Sequence, residues 1–142
     1  LRASGVAQDM RQTGYEAYDK LGFEPIVETD GDCYARAVVR AREVYQAIAL
    51  ALEALHRLPE GEAQVKVKGN PNGETIRRVE QPRGEVLWYV KGNGTKNLVR
   101  MRVRTPTYAH IPALLNMLPG CEMADVPVIT LSIDPCISCT ER

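Results

Sequence analysis

From Asp32 to about Leu58 the chain runs without a glycine or a proline. Its apolar residues Val38, Ala41, Tyr45, Ile48, Leu52 and Leu55 return at alternating steps of three and four. That spacing predicts a single helix, ~40 Å long at a rise of about 1.5 Å per residue. A second set, Val44, Ala47, Ala51, Ala54 and Leu58, widens the apolar stripe onto a neighbouring face. The helix is therefore expected to be central and buried over more than half its circumference. Asp32 is placed to cap its start, and Pro59 and Gly61 stand just past its end. A chain of 142 residues built around such a helix can bury a core without a disulfide framework.

After Gly61 the period shortens to two. Gln64 to Lys68 alternates and is expected to be a strand, followed by the runs Glu74–Gln81, Glu85–Lys91 and Leu98–Arg104. Pro82-Arg83-Gly84 and Gly92-Asn93-Gly94 supply turn chemistry between them, so a small antiparallel sheet is expected. In the last run Val99, Met101 and Val103 alternate with Arg100, Arg102 and Arg104. One face should be covered and the other cationic, either a docking or anion-binding surface or a solvated face paired with Glu80 or Glu85. Pro106 ends that strand, and Thr107 to Leu118 has helical spacing up to Pro119-Gly120. A final apolar segment, Ala124 to Ile133, leads into the tail. The stretch before Gly22, with Tyr15, Tyr18 and nearby Phe23, reads as short helices and turns. The fold class expected is α+β: a long buried central helix with shorter helices, a small antiparallel sheet to one side, and the tail delivered against the long helix.

Lys plus Arg and Asp plus Glu number 18 each, so the formal charge is zero and no general attraction for nucleic acid is expected. No apolar run approaches the ~20 residues that span a bilayer. The chain opens Leu1-Arg2-Ala3-Ser4-Gly5, without an initiator Met or a signal segment, and is expected to belong to a longer polypeptide.

Among four cysteines only Cys136 and Cys139 have the spacing that lets two thiolates meet at one centre. Cys33 and Cys121 stand alone and read as small packing residues. His56 and His110 show no ligand spacing. A lone Cys-x-x-Cys is compatible with half a zinc knuckle, half an iron–sulfur site, a redox pair or no chemistry. The redox reading is disfavoured because the pair does not open a helix after a strand. A zinc site would require two chains to pair through their tails.

The tail Asp134-Pro135-Cys136-Ile137-Ser138-Cys139-Thr140-Glu141-Arg142 resembles the C-terminal nickel-binding motif of nickel–iron hydrogenase large subunits, Asp-Pro-Cys-x-x-Cys-x-x-His/Arg. Further blocks extend the resemblance along the chain: Arg2-Ala3-Ser4-Gly5, Gly31-Asp32-Cys33-Tyr34-Ala35-Arg36 with Val39-Arg40, Gln81-Pro82-Arg83-Gly84-Glu85, Arg104-Thr105-Pro106-Thr107-Tyr108 and Ala124-Asp125-Val126-Pro127. They are most similar to the energy-converting, membrane-bound hydrogenases and formate hydrogenlyases. They also resemble the quinone-site subunit of respiratory complex I, a relative without the metal-binding cysteines.

The resemblance implies a nickel ion held by four thiolates, two from an N-proximal Cys-x-x-Cys and two from Cys136 and Cys139. Cys136 would be terminal and Cys139 would bridge to an iron carrying cyanide and carbon monoxide. Arg83 matches an arginine that contacts this centre, Pro106 and Thr107 a segment reaching a cyanide, Val86 an apolar wall, and Asp134 an acidic residue near the metal that pairs with Arg83. Local alternatives stand beside these roles: Arg83 as a solvated turn residue, Thr107 as a helix cap, Asp134 as a turn former. The implied reaction is reversible splitting of dihydrogen, with the Cys136 thiolate or Arg83 taking the proton and the thiolate preferred, because an arginine normally stays protonated.

The N-proximal Cys-x-x-Cys is absent from residues 1–142, so the chain reads as the C-terminal portion of the domain that forms a hydrogenase large subunit, inactive alone. Arg142 matches the residue after which relatives are trimmed; it cannot hold the magnesium that a histidine there would hold. Implied partners are the remainder of the large subunit, an iron–sulfur small subunit and membrane ion-translocating subunits, with dihydrogen and protons as substrates. The expected location is cytoplasmic, on the inner face of the cell membrane through those partners. The competing reading is a non-catalytic electron-transfer or quinone-module scaffold of a complex I-like NADH dehydrogenase.

Overall fold

A computed structural model describes residues 1–141. Arg142, and the expectations attached to it, lie outside the described residues. The long helix α1 spans Cys33–His56, where Asp32 accepts the Ala35 N–H at 2.7 Å and satisfies one of the orphan donors of the first turn. Strand β1 (Asn72–Gln81) pairs antiparallel with β2 (Gly84–Asn93), in register from Asn72 opposite Asn93 to Gln81 opposite Gly84. Only Pro82 and Arg83 are left to make the turn. Strand β3 (Arg100–Arg104) adds antiparallel on the far edge of β2, giving the order β1-β2-β3. Helices α2 (Pro106–Met117), α3 (Val126–Ser132) and α4 (Ile137–Thr140) complete the chain after the sheet. Two 3-10 turns, Arg2–Ser4 and Met10–Thr13, precede α1. The expected α+β architecture is the one observed.

The core lies at the start of α1. Ala35 and Val39 pack with Ala3, while Val86 of β2 and Ile133 after α3 are buried. Two arginines one turn apart on α1 tie α3 to it. Arg36 donates to the Ser132 hydroxyl at 2.9 Å and to the Gly31 carbonyl at 2.8 Å, and Arg40 donates to the Ser132 carbonyl. Beside them Arg2 bridges Asp9 at 2.7 Å, Glu43 at 3.0 Å and Glu80 at 2.8 Å. Arg11 joins Asp9 at 2.6 Å and Glu43 at 3.0 Å. Arg11 also stacks over Phe23, which meets Tyr18 edge-on, as Tyr18 meets Tyr15.

Four expectations need correction. The full burial of α1 is confined to Ala35 and Val39 in its first turns, because Tyr45, Ile48, Leu52 and Leu55 are all more than half exposed. Amphipathic spacing reports what a helix can bury, and a covering element must supply the rest; each such side chain contributes about 1.5–3 kcal/mol only once covered. Residues 64–68 form no strand: Val65 and Val67 are exposed, and alternation without a hydrogen-bonding neighbour does not make a ladder. Of the β3 expectation, Arg104 pairs with Glu85 as expected, whereas Glu80 pairs with Arg2 instead and the apolar face is not covered, Val99 and Met101 being about half exposed. The tail helix α4 lies against α2, and it is α3 that meets α1.

Candidate functional site

Three segments far apart in sequence meet at the tail. The first is the Pro82-Arg83 turn. From it Arg83 Nε donates to the main-chain oxygen of Asp134 at 2.8 Å and lies 3.1 Å from its carboxylate, with Nη2 at 3.4 Å from Oδ1. Asp134 follows α3 with a left-handed φ of 50°, a conformation aspartate tolerates better than most residues, and this turns its carbonyl and carboxylate together toward Arg83. The expected pair is present.

The second segment is the start of α2. Thr105 is its N-cap and Pro106 its first residue, so Thr107 stands inside the helix and does not cap it. At 1% exposure Thr107 turns its hydroxyl to the tail, where Oγ1 accepts the Cys136 N–H at 3.4 Å. The buried Thr105 hydroxyl donates to the Cys139 carbonyl. Val86, 1% exposed, is buried on the strand that leaves the Arg83 turn, and Pro106 is buried at the head of α2.

The third segment is the tail. Cys136 precedes α4, and its carbonyl accepts from Cys139 N at 3.1 Å and from the Thr140 hydroxyl at 3.0 Å. Its sulfur is 3.2 Å from the Ser138 hydroxyl. Hydrogen bonds from Ser138, then from the Cys139 side chain and N–H, and lastly the charge of Arg83, draw the Cys136 thiol down to about 7. The four cysteines form no disulfide. Burial lowers the pKa of Arg40, with Asp134 opposing and the charges of Arg36 and Arg83 reinforcing.

The seven residues singled out in the sequence, Arg83, Val86, Pro106, Thr107, Asp134, Cys136 and Cys139, thus fall on the turn, strand, helix start and tail that converge here. Cys33 takes a structural part, its sulfur accepting from Arg36 Nη2 at 3.2 Å. Sequence reasoning assigned no role to Thr105, Ser138 or His110. His110 Nε2 sits 2.7 Å from the Arg83 carbonyl, and its position three residues after Thr107, one helical turn along α2, is the signal that would have found it. Arg83, His110, Pro106 and Arg40 also line a cleft of about 480 Å³ that continues to Asp9, Glu43 and Glu80.

Among the described residues no three of His, Cys, Asp and Glu converge on one point; what the tail could offer a metal is the pair of sulfurs of Cys136 and Cys139. That donor set fits half of a four-thiolate centre. Thiolates suit late, redox-active metals, and a thiol that ionises near neutrality is ready to bind one.

The family described as respiratory-chain NADH dehydrogenase, 49 kDa subunit, matches residues 1–70 and 66–142. The carbon monoxide-induced hydrogenase of Rhodospirillum rubrum is 43% identical over 143 aligned positions, covering 99% of this chain and 40% of that protein. An NADH-quinone oxidoreductase subunit from Dehalococcoides mccartyi is 39% identical, covering 94% of this chain and 38% of its own length. A chain of the membrane-bound sulfane sulfur reductase, an archaeal respiratory membrane complex, superposes with a TM-score of 0.86 at 32% identity, covering 100% of this chain and 41% of its own. The chain therefore spans about 40% of the length of the relatives it matches.

Proposed function

This chain belongs to the family of the 49 kDa subunit of respiratory-chain NADH dehydrogenase, and from that premise we propose that it is the C-terminal, nickel–iron-binding portion of the catalytic subunit of an energy-converting hydrogenase. The observation that carries the proposal is the tail, which keeps both thiols of Asp-Pro-Cys-x-x-Cys beside a paired guanidinium and carboxylate. The 43% identity to a carbon monoxide-induced hydrogenase supports it. Cys136 and Cys139 would hold the metals together with an N-proximal pair from outside these residues.

Nickel, with an iron bearing cyanide and carbon monoxide, would supply a soft redox-active Lewis acid for the reversible oxidation of dihydrogen when held by Cys136 and Cys139. The residues of this chain do the rest. Cys136 would take and release the proton as the terminal thiolate beside the metal. Arg83, held in aim by Asp134, would be the donor for a cyanide. Thr107 is in the first turn of α2, where main-chain N–H groups have no intrahelical acceptor, and offers that group to the same ligand. Val86 and Pro106 exclude water from one side.

Electrons leave through an iron–sulfur small subunit, since no other cysteines are grouped here. The remainder of the large subunit covers the exposed stripe of α1. Membrane ion-translocating partners attach the assembly to the cytoplasmic face of the membrane; among the described residues no helix is long and apolar enough to cross a membrane. Dihydrogen and protons are the substrates.

Nickel and iron measured in the purified complex test this reading. Stoichiometric nickel lost in both Cys136→Ser and Cys139→Ser is the expected result. The second reading, a quinone-module scaffold, is favoured by the 39% identity to an NADH-quinone oxidoreductase subunit. It requires a complex without nickel whose activity survives Cys136→Ser.

A further inference from the structure

We propose that His110 is a positioning residue that fixes the aim of Arg83 and, through it, the seat of the thiol-bearing tail. The inference deepens the reading above and rests on it for the role of Arg83. The turn that carries Arg83 is only two residues long, so the direction of its side chain depends on how the following peptide is held. That peptide is anchored by a side chain: its carbonyl oxygen lies 2.7 Å from His110 Nε2. A carbonyl only accepts, so Nε2 carries the proton and donates. The next residue, Gly84, has a φ of +124°, and a Cβ there would stand 3.4 Å from Pro106 and 3.6 Å from His110 Nε2. The turn is thus pressed directly against the start of α2.

The contacts close a ring. His110 holds the Arg83 carbonyl, Arg83 holds Asp134, and two residues on Cys136 is held by Thr107, which lies on α2 one turn before His110. Thr105 fastens the far end of the tail to the same helix start. Every member of such a ring limits its neighbours, so withdrawing the imidazole frees the turn and lets the guanidinium leave Asp134. The influence of His110 passes through Arg83, whose carbonyl it holds.

The test uses the assembled complex with His110→Gln, whose amide nitrogen reaches the place of Nε2, His110→Asn, which falls short, and His110→Phe, which keeps the bulk without the donor. Hydrogen–deuterium exchange over residues 82–85 and 134–139 should rise roughly fivefold in the Phe and Asn variants, the opening expected from one lost hydrogen bond, and return in Gln. The infrared bands of the cyanide ligands should shift in Phe and Asn and be restored in Gln. Exchange that rises along α2 while 134–139 stays protected would overturn the proposal, as would identical behaviour of Gln and Asn. If His110→Phe fails to assemble, the Gln and Asn pair decides alone. A wild-type complex without cyanide bands would remove the nickel–iron reading, and the exchange measurement would then judge His110 by itself.

Discussion

Arg83 and Asp134, 51 positions apart, are joined twice: the guanidinium holds both the main-chain oxygen and the carboxylate of the aspartate. The pair is about one-third exposed, so the attraction adds at most about 1 kcal/mol to stability. Its value is geometric, because a planar fork reaches two acceptors that an ammonium cannot. On the proposed function, Arg83→Lys should therefore leave the melting temperature almost unchanged while the dihydrogen-oxidising activity proposed for the complex falls roughly a hundredfold, the scale of losing one aimed donor. Melting curves alongside dihydrogen uptake check this; full activity with lysine refutes the assigned role.

The Ser138 hydroxyl is the largest cause of the lowered Cys136 pKa. Alkylation of Cys136 by iodoacetamide in the metal-free chain should rise with pH through a midpoint at about 7. Removing the hydroxyl in Ser138→Ala moves the midpoint upward and slows the reaction at neutral pH by roughly threefold, since only the thiolate reacts. Peptide mass spectrometry separates this cysteine from the other three.

Burial of Asp9 opposes its ionisation, but hydrogen bonds and charge from Arg11, with the charge of Arg2, outweigh it and hold the carboxyl below the usual range. A depressed folded pKa means stability that is complete above the unfolded value of about 3.9 and lost as pH falls toward the folded one. Asp9→Asn should destabilise the chain by about 3 kcal/mol at pH 7, the low end for a broken ion pair because both arginines keep some contact with water. Urea midpoints of variant and parent should draw together below about pH 4.

Gly84 permits the backbone that the Arg83 turn requires. Gly84→Ala puts a side chain at φ +124° against Pro106, a strain of about 1–3 kcal/mol. Increased exchange of residues 82–85 and a lower melting temperature are expected, and an unchanged protein would show that the turn is not strained.

How much of this was legible follows from the range of each interaction. The start of α1 was, because Asp32 and the amide it caps are three residues apart. So was the hairpin, whose turn residues sit between its strands. Of the seven site residues, Asp134, Cys136 and Cys139 came from the tail motif and the other four from the wider family resemblance, and their pairing could be anticipated only for Arg83 with Asp134. The exposure of α1 was not legible, since the spacing of Ile48, Leu52 and Leu55 is the same whether or not something covers them. The bonds from Arg36 and Arg40 to Ser132 join residues more than ninety positions apart and leave no periodic trace. Residues 64–68 alternate as a strand does, yet a ladder needs a second edge.

The tail is seated by its own backbone. Arg83 takes the carbonyl of Asp134, Thr105 that of Cys139, and Thr107 the amide of Cys136. These groups exist whatever side chains the two cysteine positions bear. Posture of the tail is thereby uncoupled from reactivity: a substitution that trades either sulfur for a smaller or inert group leaves the main-chain contacts that dock this segment in place.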